Sequence, residues 1–216
     1  MQDMPLFEQL IYYMQQNGPY IFDQFLRHFL ISIYGVVLAA IVGIPIGIFI
    51  ERHRKLSNWV MSLANIIQTI PSMAMMSILM IVLGLGVNTV IATIFLYSLL
   101  PIIKNTYTGM ANLSPGLRDI AKGMGMTSFQ RLSKVELPLS MSVIMAGIRN
   151  ALIVAIGITS IGTFIGAGGL GDVITRGVAA TDGGAIILAG AIPTAVMAIV
   201  MDIVLEWVQN RFSPTR

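Results

Sequence analysis

From Leu56 to Ile103 the chain carries no charged residue. At about 1.5 Å per residue, a helix of that length is roughly twice what a bilayer core of about 30 Å requires. The run must therefore fold back on itself, and Gly84-Leu85-Gly86-Val87-Asn88 supplies the turn. The composition agrees. With 56% hydrophobic and 11% charged residues in 216, too little polar surface is left to cover the core of a water-soluble domain. The predicted fold class is all-α, a polytopic membrane helix bundle with about five transmembrane helices. The spans fall near 29–50, 58–83, 88–108, 139–165 and 185–207.

Lysine and arginine set the orientation. One side of this arrangement receives Arg52, Arg54, Lys55, Lys104, Arg118, Lys122, Arg131, Lys134, Arg211 and Arg216, and the other only Arg27 and Arg176. The expectation is a multi-pass protein of the cytoplasmic (inner or plasma) membrane, N-terminus outside and C-terminal tail 209–216 in the cytoplasm. Before the first span, Leu6, Phe7, Leu10, Ile11 and Met14 recur at helical spacing with Glu8, Gln9, Gln15 and Gln16 opposite. Residues 1–28 are therefore read as an amphipathic extracytoplasmic segment on the lipid surface, broken at Asn17-Gly18-Pro19. The first basic residue is Arg27, so the first span is expected to act as an uncleaved signal.

No cysteine is present, which removes disulfides, thiol nucleophiles and cysteine metal sites. His28 and His53, each beside an arginine and far apart in sequence, read as residues flanking the membrane interface rather than as metal ligands.

The insert 109–138 is the polar exception to all this. Ser114-Pro115 marks a helix start, and Leu117, Ile120, Ala121 and Met124 form one apolar stripe with Arg118, Asp119 and Lys122 off it. Gly123 and Gly125 can end that helix. Thr127-Ser128-Phe129-Gln130 fits a capping box that starts a second helix, running to Leu137-Pro138 and back into the membrane. Helices this short need something to dock against. Pattern alone leaves open whether that is their own bundle or another protein.

The spacing Asp119-x-Ala121-x-x-x-Gly125-x9-Val135-x-Leu137-Pro138 resembles the signature loop of importer permeases in the ATP-binding cassette (ABC) superfamily, Glu-Ala-Ala-x3-Gly-x9-Ile-x-Leu-Pro. The chain departs from it at Asp119, Ile120 and Val135. The stretches Gln68-Thr69-Ile70-Pro71-Ser72, Leu99 to Gly109 and Met145 to Ala151 resemble the osmoprotectant branch, whose members import glycine betaine, carnitine or choline. Gly166 to Asp172 is shared with methionine-type permeases. The resemblance implies the type I ABC importer permease fold and a coupling helix seated in the ATPase subunit. Asp119, Ala121, Lys122 and Gly125 would lie at that contact, with Leu137 and Pro138 fixing the exit. It also implies the partners: a cytoplasmic ATP-binding subunit that holds ATP and Mg, an extracytoplasmic solute-binding protein, a second permease chain (the same or a related one), and membrane lipid. No cofactor is expected on this chain itself, and no nucleic acid.

Inside the spans, Gln68, Thr69, Pro71 and Asn105 are candidates for a translocation path, with hydrogen bonding between helices as the alternative. Arg149 and Asp202 lie at similar depth and are a candidate intramembrane ion pair, Glu206 being the rival partner. Pro45, Pro71, Pro101 and Pro193 would each kink a helix. Gly166 to Gly184 is either a partly re-entrant segment or a flexible external loop. A membrane enzyme would need a base–nucleophile or metal constellation that the residues do not supply. A channel would leave the insert unexplained, and an ion-coupled secondary transporter would need carboxylates deeper than Asp202 and Glu206. Without a Gly-x4-Gly-Lys-[Ser/Thr] phosphate loop the chain cannot be the ATPase; it is read as a non-catalytic transport subunit.

Overall fold

The structure, a computed structural model, describes residues 5–212. Residues 1–4 of the predicted N-terminal segment, and 213–216 of the tail with Arg216, lie outside it. The described residues contain no strand, as expected where backbone groups must be satisfied without water. Four helical stretches are long and apolar enough to cross a membrane: Leu6–Arg52 (α1), Val87–Ala111 (α4), Ser128–Ile165 and Gly184–Arg211 (α9).

Helix α1 fuses the predicted surface segment with the first span. Its backbone leaves helical geometry only at Asn17 (φ −115°, ψ 15°), where Pro19 removes an N–H. Of the apolar stripe before the kink, Leu10 is buried, while Leu6, Phe7, Ile11 and Met14 stay exposed.

The second span is not one straight helix. Arg54–Thr69 (α2) and Ser72–Leu83 (α3) meet at 96° across Ile70-Pro71. By contrast, α1, α4 and α9 continue through Pro45, Pro101 and Pro193. The predicted turn follows α3, with Gly84 at φ 76° and Gly86 at φ 103°, values that glycine adopts without cost.

Close helix approach is built on small residues. Gly35, Ala39, Gly43 and Gly47 recur every fourth position along the face of α1 that packs on α4. A Cβ added at Gly47 would lie 2.6 Å from the Thr106 Cβ and 3.0 Å from the Ile103 carbonyl oxygen.

The insert holds Pro115–Gly123 (α5) and Ser128–Arg131 (α6). The second insert helix is not separate from the membrane. A π-turn at Leu132–Glu136 joins α6 to Leu137–Ile161 (α7). Pro138 has no N–H for the Lys134 carbonyl and its ring crowds that group. The wider turn, in which the Leu137 N–H reaches back to the Leu132 carbonyl, lets the helix pass.

At the opposite end α7 tightens into a 3-10 turn, Gly162–Ile165, followed by Leu170–Ala179 (α8). Helix α8 lies against α9 with Leu170 and Val173 fully buried. The glycine-rich stretch is thus a packed helical hairpin rather than a loose loop.

Candidate functional site

In the insert, the capping box forms as expected: the Gln130 N–H donates to Thr127 Oγ1 (3.2 Å) and the Thr127 N–H to Gln130 Oε1 (2.9 Å). Pro115 starts α5, but Ser114 makes no side-chain cap. Only Gly125 adopts the left-handed turn (φ 75°); Gly123 stays helical. The Met126 N–H bonds to the Ala121 carbonyl (3.2 Å) and the Gly125 N–H to that of Lys122 (2.9 Å). This 6→1 plus 5→2 pattern is a Schellman motif, and it explains why alanine and glycine stand four apart. Ala121 is 3% exposed, yet Ile120, Met124 and Phe129 are 62%, 70% and 76% exposed. Among the described residues nothing covers this apolar face. Asp119 and Lys122 flank it, 3.8 Å apart and both exposed, a pair contributing little to stability. Leu137 is half-buried and Pro138 exposed at the start of α7.

The break between α2 and α3 is tied to α4 by reciprocal bonds. Pro101 leaves the Tyr97 carbonyl without its helical donor. Gln68 Nε2 donates to that oxygen at 2.9 Å, and the Tyr97 hydroxyl donates to the Ile70 carbonyl. Freed backbone groups in a membrane helix are satisfied by neighbours in this way. Asn105 Nδ2 donates to the Pro101 carbonyl (2.8 Å). Gln68 and Asn105 share the wall of a cavity of about 440 Å³ with Lys104, Thr108 and Asn150. Thr69 and Pro71 are not on that wall; the Thr69 hydroxyl bonds to Ile66 (2.7 Å) and Pro71 precedes α3.

Arg149 on α7 faces α9. Its Nη2 donates to Asp202 Oδ2 (2.6 Å) and to Glu206 Oε2 (3.1 Å), and its Nε donates to Asp202 as well. The two carboxylates act together rather than as rivals. Arg149→Ala strands both, whereas Asp202→Ala leaves Arg149 with Glu206. Uptake in proteoliposomes should therefore fall by roughly five-fold or more further in the arginine variant than in the aspartate one. The double variant should transport at least as well as Arg149→Ala. Equal single losses that simply add would show that the charges are uncoupled.

Comparison with known proteins accords with these features. Residues 43–214 match the family described as the binding-protein-dependent transport system inner membrane component. The chain belongs to this family. It is 60% identical over 213 residues to the glycine betaine/carnitine/choline transport system permease protein OpuCD of Bacillus subtilis, covering 99% of this chain and 93% of that one. It is 58% identical to the carnitine transport permease protein OpuCD of Listeria monocytogenes, covering 99% and 96%. Among solved structures, an inward-facing form of the MetNI methionine ABC transporter superposes with a TM-score of 0.79, covering 89% of this chain and 96% of that one, at 17% identity. The fold is that of type I ABC importer permeases, and the chain is a non-catalytic permease subunit.

Two polar arrangements in the permease were missed from the sequence. The first is a ladder on α1 at every fourth residue. The Tyr20 hydroxyl bonds to Asp172, and the Arg176 guanidinium, which holds Asp172 at 2.8 Å, lies 4.7 Å over the Tyr20 ring. Gln24 Oε1 accepts from the Gly169 N–H (2.7 Å), and His28 Nδ1 from the Leu170 N–H (3.2 Å). Ser32 meets Thr159 at 2.9 Å. The ladder binds the first N–H groups of α8, which have no partner within their own helix. His28 is fully buried, not a flanking interfacial residue. The second arrangement is a set of ion pairs beneath the insert, centred on Glu51, Arg118 and Glu136. A period-four polar stripe and acidic residues set among basic ones were the signals available.

Proposed function

We propose that this permease imports a small quaternary-amine osmoprotectant, of the glycine betaine, carnitine and choline class, across the cytoplasmic membrane by alternating access. The N-terminus lies outside and the insert with the C-terminus inside, an orientation that rests on the gathering of lysine and arginine at the insert end. Two permease chains form the path. An external binding protein delivers the solute, and cytoplasmic subunits that bind ATP and Mg supply the energy. This chain binds no cofactor. The substrate class is supported by relatives at 58–60% identity over nearly the whole chain whose names carry these solutes.

The observation that carries the coupling role is the bare apolar face of Ile120, Met124 and Phe129 beside the Ala121–Gly125 Schellman turn. A surface of this kind on an otherwise charged insert fits a protein partner. The test is co-purification from membranes, followed by ATP hydrolysis stimulated by the binding protein with each solute. Stimulation by methionine and not by quaternary amines would sink the substrate reading.

Gly125→Val tests the turn itself. No atom lies within 4 Å of a Cβ built at Gly125, so crowding is not the cause of any loss. The cost is the left-handed backbone, about 1–2 kcal/mol for a residue with a Cβ. The exit from α5 should then re-angle and ATPase co-purification should drop. Gly125→Asn, which tolerates that geometry, should retain most of it. Equal retention by both variants would show that the bend is not needed.

A further inference from the structure

Among the described residues, the side-chain hydrogen bonds and ion pairs that join α5 to the transmembrane bundle all run through Arg118. Arg118 Nη2 donates to Glu51 Oε1 at 2.9 Å, at the end of α1, and to the Met110 carbonyl at 2.7 Å, in the last turn of α4. That carbonyl lies at the C-terminal end of α4, where the Leu113 N–H also reaches it at 3.4 Å, and a cation there is favoured by the helix dipole. Arg118 Nε lies 3.6 Å from Glu136 Oε1, in the π-turn before α7. One guanidinium on the insert therefore addresses the ends of three spanning helices. Glu136 is also held by Arg131 Nε at 3.0 Å and faces Arg52 at 3.6 Å. The side chains of Glu51 and Glu136 are each 4% exposed, so these cations rather than water supply their polar partners.

The network is left one contact short. Among the described residues, Arg118 Nε and Glu136 Oε2 are buried and find no hydrogen-bond partner, although each has a counter-charge at 3.6 Å. Bringing Arg118 Nε from 3.6 Å to hydrogen-bond length from Glu136 Oε1 needs a movement of less than an ångström. Packed polar networks that can take two discrete arrangements carry movement between sites.

We propose that Arg118 is the pin that passes movement of α5 to α1, α4 and α7, by exchanging its guanidinium between Glu51 and Glu136. This rests on α5 being the ATPase-coupling helix. Arg118 is a positioning residue: it steers the spans and does not touch the solute. Glu51 lies outside the signature spacing, Arg118 precedes it, and Glu136 stands at its unspecified position between Val135 and Leu137.

The experiment uses the whole transporter, permease with ATPase subunit and binding protein, in proteoliposomes. Uptake is followed with whichever of glycine betaine, carnitine and choline the wild type carries, beside ATP hydrolysis. In Arg118→Lys a single ammonium replaces the fork that reaches three acceptors. The ATPase should still co-purify and hydrolyse ATP, while uptake per ATP falls by about ten-fold. Mere destabilisation would lower uptake and hydrolysis together and leave their ratio unchanged. An unchanged ratio overturns the pin, and so does loss of the ATPase, which would make Arg118 a docking residue. Should the lysine variant fail to accumulate, Glu51→Gln decides, since it leaves Arg118 in place and removes one of its two anionic stations; the same fall is expected and an unchanged ratio refutes it. A wild-type permease that purifies with no nucleotide hydrolase defeats the coupling reading itself, and the pin with it.

Discussion

Gly147→Val is expected to destabilise the permease by about 1–3 kcal/mol or more, the usual cost of forcing extra carbon into a packed core, and to remove most of its uptake. A Cβ at Gly147 would stand 2.7 Å from the Asn105 Cβ and 2.8 Å from the Pro101 carbonyl oxygen. The second is backbone, so no rotamer change relieves it; α4 and α7 must separate. The same separation would pull Asn105 off the Pro101 carbonyl and distort the polar cavity it shares with Gln68. Gly157, nearly three turns along the same helix, has no neighbouring atom beyond its own helix within 4 Å of its Cβ position among the described residues. Gly157→Val should leave the thermal midpoint of the purified chain near that of the wild type. Equal midpoints for the two variants would mean that the α4–α7 seam yields, and that the close approach is not what Gly147 is for.

Most of what could be read from the sequence has a local cause. The uncharged run from Leu56 to Ile103 forced a turn, and Gly84 to Asn88 had the residues for it. The Thr127–Gln130 box spans a single helical turn, so its partners are fixed by spacing. Arg149, Asp202 and Glu206 were matched by depth alone, because a charge in lipid needs a partner and few were present. What escaped depended on residues far apart. Pro71 breaks its helix while Pro45, Pro101 and Pro193 do not, and at the break the Ile70 carbonyl takes the Tyr97 hydroxyl from another span, a partner that local pattern does not name. Whether the stripe of Ile120 and Met124 was covered depended on where the bundle ended, which no periodicity records. Glu51 and Glu136 are far apart in sequence, and only folding places Arg118 between them. The glycines of α1 were a different case. Their four-residue spacing was legible, and its meaning needed only the partner face of α4.

His28→Leu is the second large effect expected. Among Tyr20, Gln24, His28 and Ser32, His28 alone bridges two other elements. Nδ1 accepts from the Leu170 N–H at the start of α8, so the ring's one proton sits on Nε2 and is donated to the Ile156 carbonyl of α7 at 3.0 Å. Leucine offers neither bond: the Leu170 N–H loses its acceptor, at about 1–3 kcal/mol, while the Ile156 carbonyl keeps the Ser160 hydroxyl at 3.3 Å. The loss should fall on the α8 hairpin, because Gly169 and Leu170 carry its first N–H groups. Hydrogen exchange should speed up across 162–179, and the thermal midpoint should drop. Glutamine at position 28 can accept with its oxygen and donate with its nitrogen, so His28→Gln should recover most of the protection while His28→Leu does not. That ordering separates hydrogen bonding from bulk, since leucine fills as much apolar space as glutamine. If both variants exchange like the wild type, α8 is held by Leu170 and Val173 packing on α9, and the ladder on α1 contributes nothing to it.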